Sequence, residues 1–358
     1  MILVSGNFLN DTKNFYLLYP KKVYVNVPQA FLKGALNNNK VYFILISFEK
    51  SIEKYKYNKK EKSSILNIKN LVIEIKGFDK VNLEKLKRNL LKKDYEVGFL
   101  NWEIQKKEYL NLIKKIKEEI KKGTFYQVNL TNRANFSFER KSENDLLNLF
   151  LNFYKTQKVP YAYLISLKDF FIISGSMELF LKREKEKLLS GPIKGTISIK
   201  ESIKNLFSEK EKSEHLMIVD IMRNDINLIG KEKKVELFKV EKYSTLYHLV
   251  SYIYGESFLD NYFIIDRTLP VASVTGAPKY TACKFIFENE PFNRETYCGI
   301  SILKMSKDFF VSCVNIRHIL GKGNKLSYFS GGGIVYDSYP EKEWEEINLK
   351  MKAFLNAI

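Results

Sequence analysis

Apolar and polar positions follow different periods in different parts of the chain. Short β-branched and aromatic runs at Val23–Val27, Val41–Ser47 and Leu71–Ile75 predict strands within the first 95 residues. Among them the polar run KSIEKYKYNKKEKSS, roughly residues 50–64, predicts a solvated loop or insertion. From Ile104 the period becomes helical: Tyr109, Leu112, Ile113, Ile116 and Ile120 fall on one face, Lys121 and Lys122 suit the last turn, and Gly123 is placed to end it. Beyond Gly123, glycine-containing turns, strands and short helices alternate to Ile358 without a Pro/Gly/Ser-rich linker or an internal repeat. The simplest partition is a reduced N-terminal region over 1–95, with strands and a basic loop, followed by one large α+β domain over 96–358.

Two later helices carry charge in register. In EKSEHLMIVDIMRNDINLIG, Glu214, Ile218, Ile221 and Asp225 share one side. In SGGGIVYDSYPEKEWEEINLKMKAFLNAI, Asp337 or Ser338 is placed to cap a helix that Pro340 opens. Trp344, Ile347, Met351, Phe354 and Ile358 form its packing stripe, while Glu343, Glu346 and Lys350 form a second stripe about 100° away. Such a stripe is ordinarily an exposed, salt-bridged face. A further glutamate from the Glu214 helix would instead make an oxygen-rich site for Mg²⁺. Gly331, Gly332 and Gly333, just upstream, offer backbone amides to a carboxylate.

Composition narrows the class. The 358 residues are 45% hydrophobic and 14% aromatic, enough for a large packed core and against intrinsic disorder. The net charge of +18 attracts polyanions, yet only eight of the 59 basic residues are arginine. Base-reading surfaces favour the bidentate guanidinium, and no zinc-finger, RNP-type or basic-zipper pattern occurs, so a lysine-coated surface is expected rather than nucleic-acid binding. Cys283, Cys298 and Cys313 are too few for a disulfide framework and form no CxxC pair. No stretch is long and apolar enough to span a bilayer, and the N-terminus lacks a signal-peptide pattern; a soluble, cytoplasmic protein without a membrane partner is expected.

Several further positions have chemical promise. Lys194 in LLSGPIKGTIS stands between Pro192 and Gly195, where Gly191 and Gly195 let the backbone approach a ligand. An amine beside a buried or cationic site can lose its proton and become a nucleophile. Sixteen residues earlier, Glu178 in FIISGSMELF follows an apolar strand and a Gly-Ser turn; it is either a surface carboxylate or one presented into a cleft. Thr275 and Gly276 precede Pro278 at an expected helix N-terminus, an anion-friendly position. His248 and Arg317 are scarce residue types in apolar surroundings, so each needs a defined partner if buried, structural or functional.

The order of GTFYQVNLTNR, SGSMELF, GPIKGT, SEHLMIVDIMRNDI, YSTLYHLVS, SVTGAPK, YCGI, NIRH and SGGGIVYDSYPEKEWEE resembles that of the chorismate-utilising enzymes, over about residues 104–356. The resemblance implies an α+β fold with antiparallel β-sheets packed centrally and helices outside. Gln127 stands where oxygen-transferring members have a water-activating lysine, which argues against isochorismate and salicylate synthases. Lys194 stands where anthranilate synthases typically have alanine, and so resembles the aminodeoxychorismate synthase branch, in which it is the covalent nucleophile. The N-terminal region shows no LLES-like motif of feedback-regulated relatives.

Carried over residue by residue, the resemblance implies Mg²⁺ held by Glu214, Glu343 and Glu346, with Glu211 behind them and the ring carboxylate of chorismate on the metal. It implies Arg317, Tyr297, Gly332, Gly333 and Lys350 at the side-chain carboxylate; Gly195, Thr196 and Thr275 around the ring, with Gln127; and His248 near the reacting carbons. Lys194 would be the nucleophile and Glu178 the general acid. Three positions depart from the family pattern: Met177 for proline, Ala272 for glycine, and His318 for threonine. None of the cysteines sits in a Gly-x-Cys-x-Gly setting, so a separate glutamine amidotransferase subunit is expected to supply ammonia. The alternatives are anthranilate synthase component I and, more remotely, a basic nucleic-acid-binding protein on an inactive enzyme fold.

Overall fold

A computed structural model describes residues 1–58, 61–83, 95–207, 209–242 and 246–358, apart from the side chains of Gln157, Thr196, Ser198, Asn205 and residues 209–211. Eighteen described strands join in one continuous hydrogen-bonded ladder, and every pairing between them is antiparallel. The strand Asn70–Val81 joins two arms, because it pairs with Phe15–Val25 on one edge and with Tyr42–Ile46 on the other. One arm continues through Ile2–Ser5, Tyr161–Ser166, Phe170–Ser176, His318–Lys322 and Lys325–Ile334 to Gln127–Arg140. The other runs through Ile300–Ser306, Phe309–Val314, Leu179–Glu184 and Lys187–Gly191 to Leu246–Glu256.

The two arms face each other across the core. Phe43 meets Tyr163 edge-on at 5.3 Å, and the Ser301 hydroxyl donates to the Tyr163 oxygen at 2.7 Å. Strands from the first 95 residues therefore pair directly with strands from the rest of the chain: Ile2–Val4 with Tyr163–Ile165, and Tyr42–Ile46 with Ile300–Lys304. Strands covered on both faces read as nearly continuous apolar runs, as in YFILI, where all five residues are buried.

Helices lie outside the sheets. The helix Lys106–Lys121 buries Tyr109, Ile113 and Ile116 as its spacing predicts, and Gly123 follows with φ +76°, the left-handed conformation that ends the helix without a Cβ clash. It packs against the helix Pro340–Leu355 through Tyr109 and Trp344, whose rings are 5.5 Å apart. That second helix is held to the sheet by Phe354, stacked on Tyr328 at 4.5 Å.

Two local expectations are corrected. The basic run at 50–64 is not simply a solvated loop. Phe48–Ile52 is a short helix capped by Ser47, Ser51 and Ile52 are buried, and Lys54 donates to the carbonyl of Asp266 and, at 2.5 Å, to that of Leu269. Tyr55 and Tyr57, each half-buried, pack on the exposed Tyr280, while Glu53, Lys54, Lys56, Asn58 and Glu61 remain exposed as the polar composition predicts. Neither Asp337 nor Ser338 caps the last helix: its N-cap is Tyr339, with no side-chain cap. The Ser338 hydroxyl accepts from the Val335 N–H instead, tightening the turn that precedes the helix.

Candidate active site

The two helices read from charge spacing both contribute to the lining of one cavity of about 610 Å³. The helix Glu209–Ile229 delivers Glu214 to it, and Pro340–Leu355 delivers Glu343, Glu346 and Lys350. The second stripe of the last helix borders the cavity, and it keeps the character of a salt-bridged face as well, with Glu346 half exposed and paired to Lys350 one turn on. Strand Ile193–Ser198 adds Lys194 and Gly195, the latter at φ +82°. Arg317 and Tyr297 complete the cationic and hydroxyl-bearing wall. Arg317 has φ +49°, a left-handed backbone unusual for a side-chain-bearing residue, and its carbonyl accepts from the Gly175 N–H.

The glycines Gly331–Gly333 lie in a paired strand, opposite Thr131, Leu130 and Asn129. Beyond Tyr328 the other edge of this strand pairs with no strand among the described residues, and Gly331 and Gly333 line the cavity there. A Cβ on Gly332 would come within 3.4 Å of Glu343 Oε2 and 3.6 Å of Glu346 Oε1. A Cβ on Gly333 would crowd the Gln127 amide and approach Lys194 Nζ at 3.4 Å. Glycine at these positions therefore leaves room between the carboxylates on one side and beside the lysine on the other.

The electrostatics are organised in pairs. Lys194 Nζ lies 2.8 Å from Glu214 Oε2, and Lys350 Nζ lies 2.6 Å from Glu346 Oε1 while also donating to the Gly331 carbonyl. Glu178 is 6% exposed, and burial pushes its carboxyl up to about 7, against the Ser273 hydrogen bond and the charge of Lys194, both of which favour ionisation. Burial, with Arg317 nearby, lowers His248 to about 4, so this imidazole is neutral near pH 7. Burial likewise holds the Tyr297 phenol well above its usual range.

His248, Gln127 and Thr275 sit behind the cavity wall, each at most 1% exposed. His248 is in register with Thr196 on the neighbouring strand, Thr275 donates to the Val271 carbonyl, and the Gln127 Oε1 is buried without a partner among the described residues. The side chains of Thr196 and Glu211 lie outside the described residues. Of the departures from the family pattern, Met177 lines the cavity and Ala272 is buried in the turn before Thr275. His318 points into the core, where its Nε2 is 2.8 Å from the Thr296 hydroxyl, and burial holds it neutral with a value lowered to about 3.

Two contributors escaped the sequence reading. Asn129 lines the cavity from strand Gln127–Arg140. Ser273, in the turn Ala272–Val274, donates to Glu178 Oε1 at 2.7 Å across 95 residues of sequence. A serine two residues before TGAPK has no local signal for that contact.

The carboxylate set suits a hard divalent cation. Glu214, Glu343 and Glu346 share the cavity, glycine keeps the space between two of them clear, and the present cationic partners of Glu214 and Glu346 are lysines. Among the described residues they do not converge into a closed ligand cage. Carboxylate oxygens are the ligand type Mg²⁺ takes, and with two of the three glutamates paired to lysines most of its coordination would fall to water and an oxygen-bearing ligand.

Carboxylates thus line the cavity together with an arginine and a tyrosine. Residues 16–356 match the model of the chorismate binding enzymes, and the chain belongs to that family. It is 34% identical over 280 residues to anthranilate synthase component 1 of Aquifex aeolicus, an alignment covering 74% of this chain and 56% of that protein. It is 32% identical over 267 residues to aminodeoxychorismate synthase component 1 of Escherichia coli, covering 71% and 58%. The chain thus spans less than two thirds of the length of these relatives. The anthranilate synthase component I structure from Streptococcus pneumoniae superposes with a TM-score of 0.79 at 20% identity, over 98% of this chain and 91% of that one. The menaquinone-specific isochorismate synthase of Escherichia coli superposes at 0.75 and 16% identity, over 99% and 88%. These likenesses establish the shared fold, as expected from the motif order.

Proposed function

We propose that the protein is aminodeoxychorismate synthase component I, converting chorismate and ammonia to 4-amino-4-deoxychorismate and water. The observation that carries the reading is Lys194 at the cavity wall, with the proton-bearing acid Glu178 on the same cavity. In the proposed first step Lys194, having left Glu214 and given its proton to solvent, forms a bond from its amine to C2 of the ring, the ring double bond shifts, and the C4–oxygen bond breaks. Glu178 gives its proton to the departing hydroxyl, which leaves as water. Ammonia then bonds to C4, the double bond shifts back and Lys194 departs, so that chorismate plus ammonia balances aminodeoxychorismate plus water.

In this reading Arg317 and Tyr297 hold the side-chain carboxylate, with the open strand edge at Gly333 and the charge of Lys350. Gly195, Thr196 and Thr275 border the ring, His248 supports it as a neutral group, and Gln127 backs Lys194. Glu214, Glu343 and Glu346 would hold Mg²⁺, which when bound supplies positive charge and a fixed orientation for the ring carboxylate. Ammonia would come from a glutamine amidotransferase subunit, consistent with the "component 1" names of the relatives. The compartment would be cytoplasmic; among the described residues no helix is long and apolar enough to cross a membrane.

The second reading, anthranilate synthase component I, is favoured by the Aquifex relative. Lys194 weighs against it, since that activity needs no covalent amine. The test is Lys194→Ala. Loss of aminodeoxychorismate formation by about 100-fold or more, together with a chorismate-derived adduct on wild-type Lys194 by peptide mass, supports the covalent route. Full activity in the variant would remove Lys194 as nucleophile.

A further inference from the structure

We infer that Ser273 is a positioning residue for Glu178, fixing which carboxyl oxygen carries the proton and how readily it is released. This deepens the reading of Glu178 as general acid and rests on it. The geometry is specific. The Ser273 hydroxyl donates to Glu178 Oε1 at 2.7 Å. An oxygen that accepts a hydrogen bond is the poorer place for the acid proton, so Oε2 becomes the proton-bearing oxygen.

The turn that presents Ser273 is itself held on both sides. The Thr275 hydroxyl donates to the Val271 carbonyl at 2.8 Å, and the buried Arg294 donates to the Val274 carbonyl at 3.0 Å. On the other partner, the Glu178 N–H donates to the Ser176 hydroxyl and the Val314 N–H donates to the Glu178 carbonyl. Both ends of the Ser273–Glu178 contact are thus anchored by other elements, so it is set by the fold rather than by a free surface rotamer.

A hydroxyl donor favours the ionised carboxylate, and burial favours the neutral acid. Ser273 therefore holds Glu178 near neutrality instead of letting burial carry it higher. Two titratable groups on the adjoining strands also act on this carboxyl. Lys194 favours its ionised form, and Cys313, whose thiol burial pushes well up, adds no charge near neutral pH.

The test uses the protein without substrate. The C=O stretch of the protonated Glu178 carboxyl is followed by infrared titration and assigned by its disappearance in Glu178→Gln. In Ser273→Ala the midpoint should rise by about one pH unit, while Ser273→Thr, which keeps the hydroxyl, should stay at the wild-type midpoint. An unchanged midpoint in Ser273→Ala overturns the inference. The same variants are then assayed with chorismate, Mg²⁺ and ammonia. A basic limb of kcat displaced upward in step with the infrared midpoint supports Glu178 as the acid. A displaced midpoint with an unmoved limb leaves the Ser273–Glu178 coupling standing and overturns the acid role proposed above. A purely structural loss would lower the rate at every pH without moving either midpoint.

Discussion

Lys194 Nζ lies 2.8 Å from Glu214 Oε2, so the amine assigned to attack and a carboxylate assigned to hold metal share one contact. The same arrangement recurs at Lys350 and Glu346. Two cations that want one carboxylate must compete for it. Lys194→Met should therefore tighten Mn²⁺ binding to the substrate-free protein by about tenfold, measured by electron paramagnetic resonance. Glu214→Gln should weaken it by a similar factor. Equal affinities for wild type and Lys194→Met would contradict a shared carboxylate.

Catalysis should follow the protonation of Glu178. With Glu178 as the proposed acid and burial placing it at about 7, kcat at constant free ammonia should fall about tenfold per unit above that pH. The limb should vanish in Glu178→Gln along with most of the turnover. A rate that stays flat to pH 9 would exclude Glu178 as the donor.

The same carboxyl has a cost in stability with a definite sign. Its value rises from 4.5 to about 7 on folding, so the folded state binds the extra proton and the protein loses stability as pH rises through that window. Glu178→Gln mimics the protonated form. It should be more stable than wild type above pH 7 by up to about 3 kcal/mol, and nearly equal to it below pH 4.5. Urea denaturation at pH 5 and pH 8 measures this directly; a gain at pH 5 that disappears at pH 8 would reverse the sign.

The shared stripe on the last helix was legible because helical periodicity carries it, while its place beside a cavity came only with the fold. Glu343, Glu346 and Lys350 are spaced to share a stripe, and Glu214 lies in the second turn of a helix whose apolar spacing sets its face. Ser273 was not legible, since its meaning comes from a partner 95 residues away in sequence. The basic run at 50–64 was legible in its exposure, whereas the short helices over Phe48–Tyr55 and the contacts of Tyr55 and Tyr57 with Tyr280 arise only in the folded chain. The long pairing of Tyr42–Ile46 with Ile300–Lys304 is likewise a matter of topology that neither strand announces by itself.

Behind the cavity, Arg294 and Glu290 form an ion pair at 2.6 Å with both side chains 1% exposed. Arg294 also donates to the carbonyls of Val274 and Asn129, two residues of the cavity wall. Arg294→Met would strand a buried carboxylate and should destabilise the fold by about 3–5 kcal/mol. Adding Glu290→Met should recover part of that loss. A single variant with an unshifted urea midpoint would show that the pair is dispensable.

Which member of the family this chain represents is decided by its product. Purified protein with chorismate, Mg²⁺ and ammonium should yield 4-amino-4-deoxychorismate, identified by mass as retaining the enolpyruvyl group and converted to 4-aminobenzoate when an aminodeoxychorismate lyase is added. Release of pyruvate with appearance of fluorescent anthranilate would contradict the account.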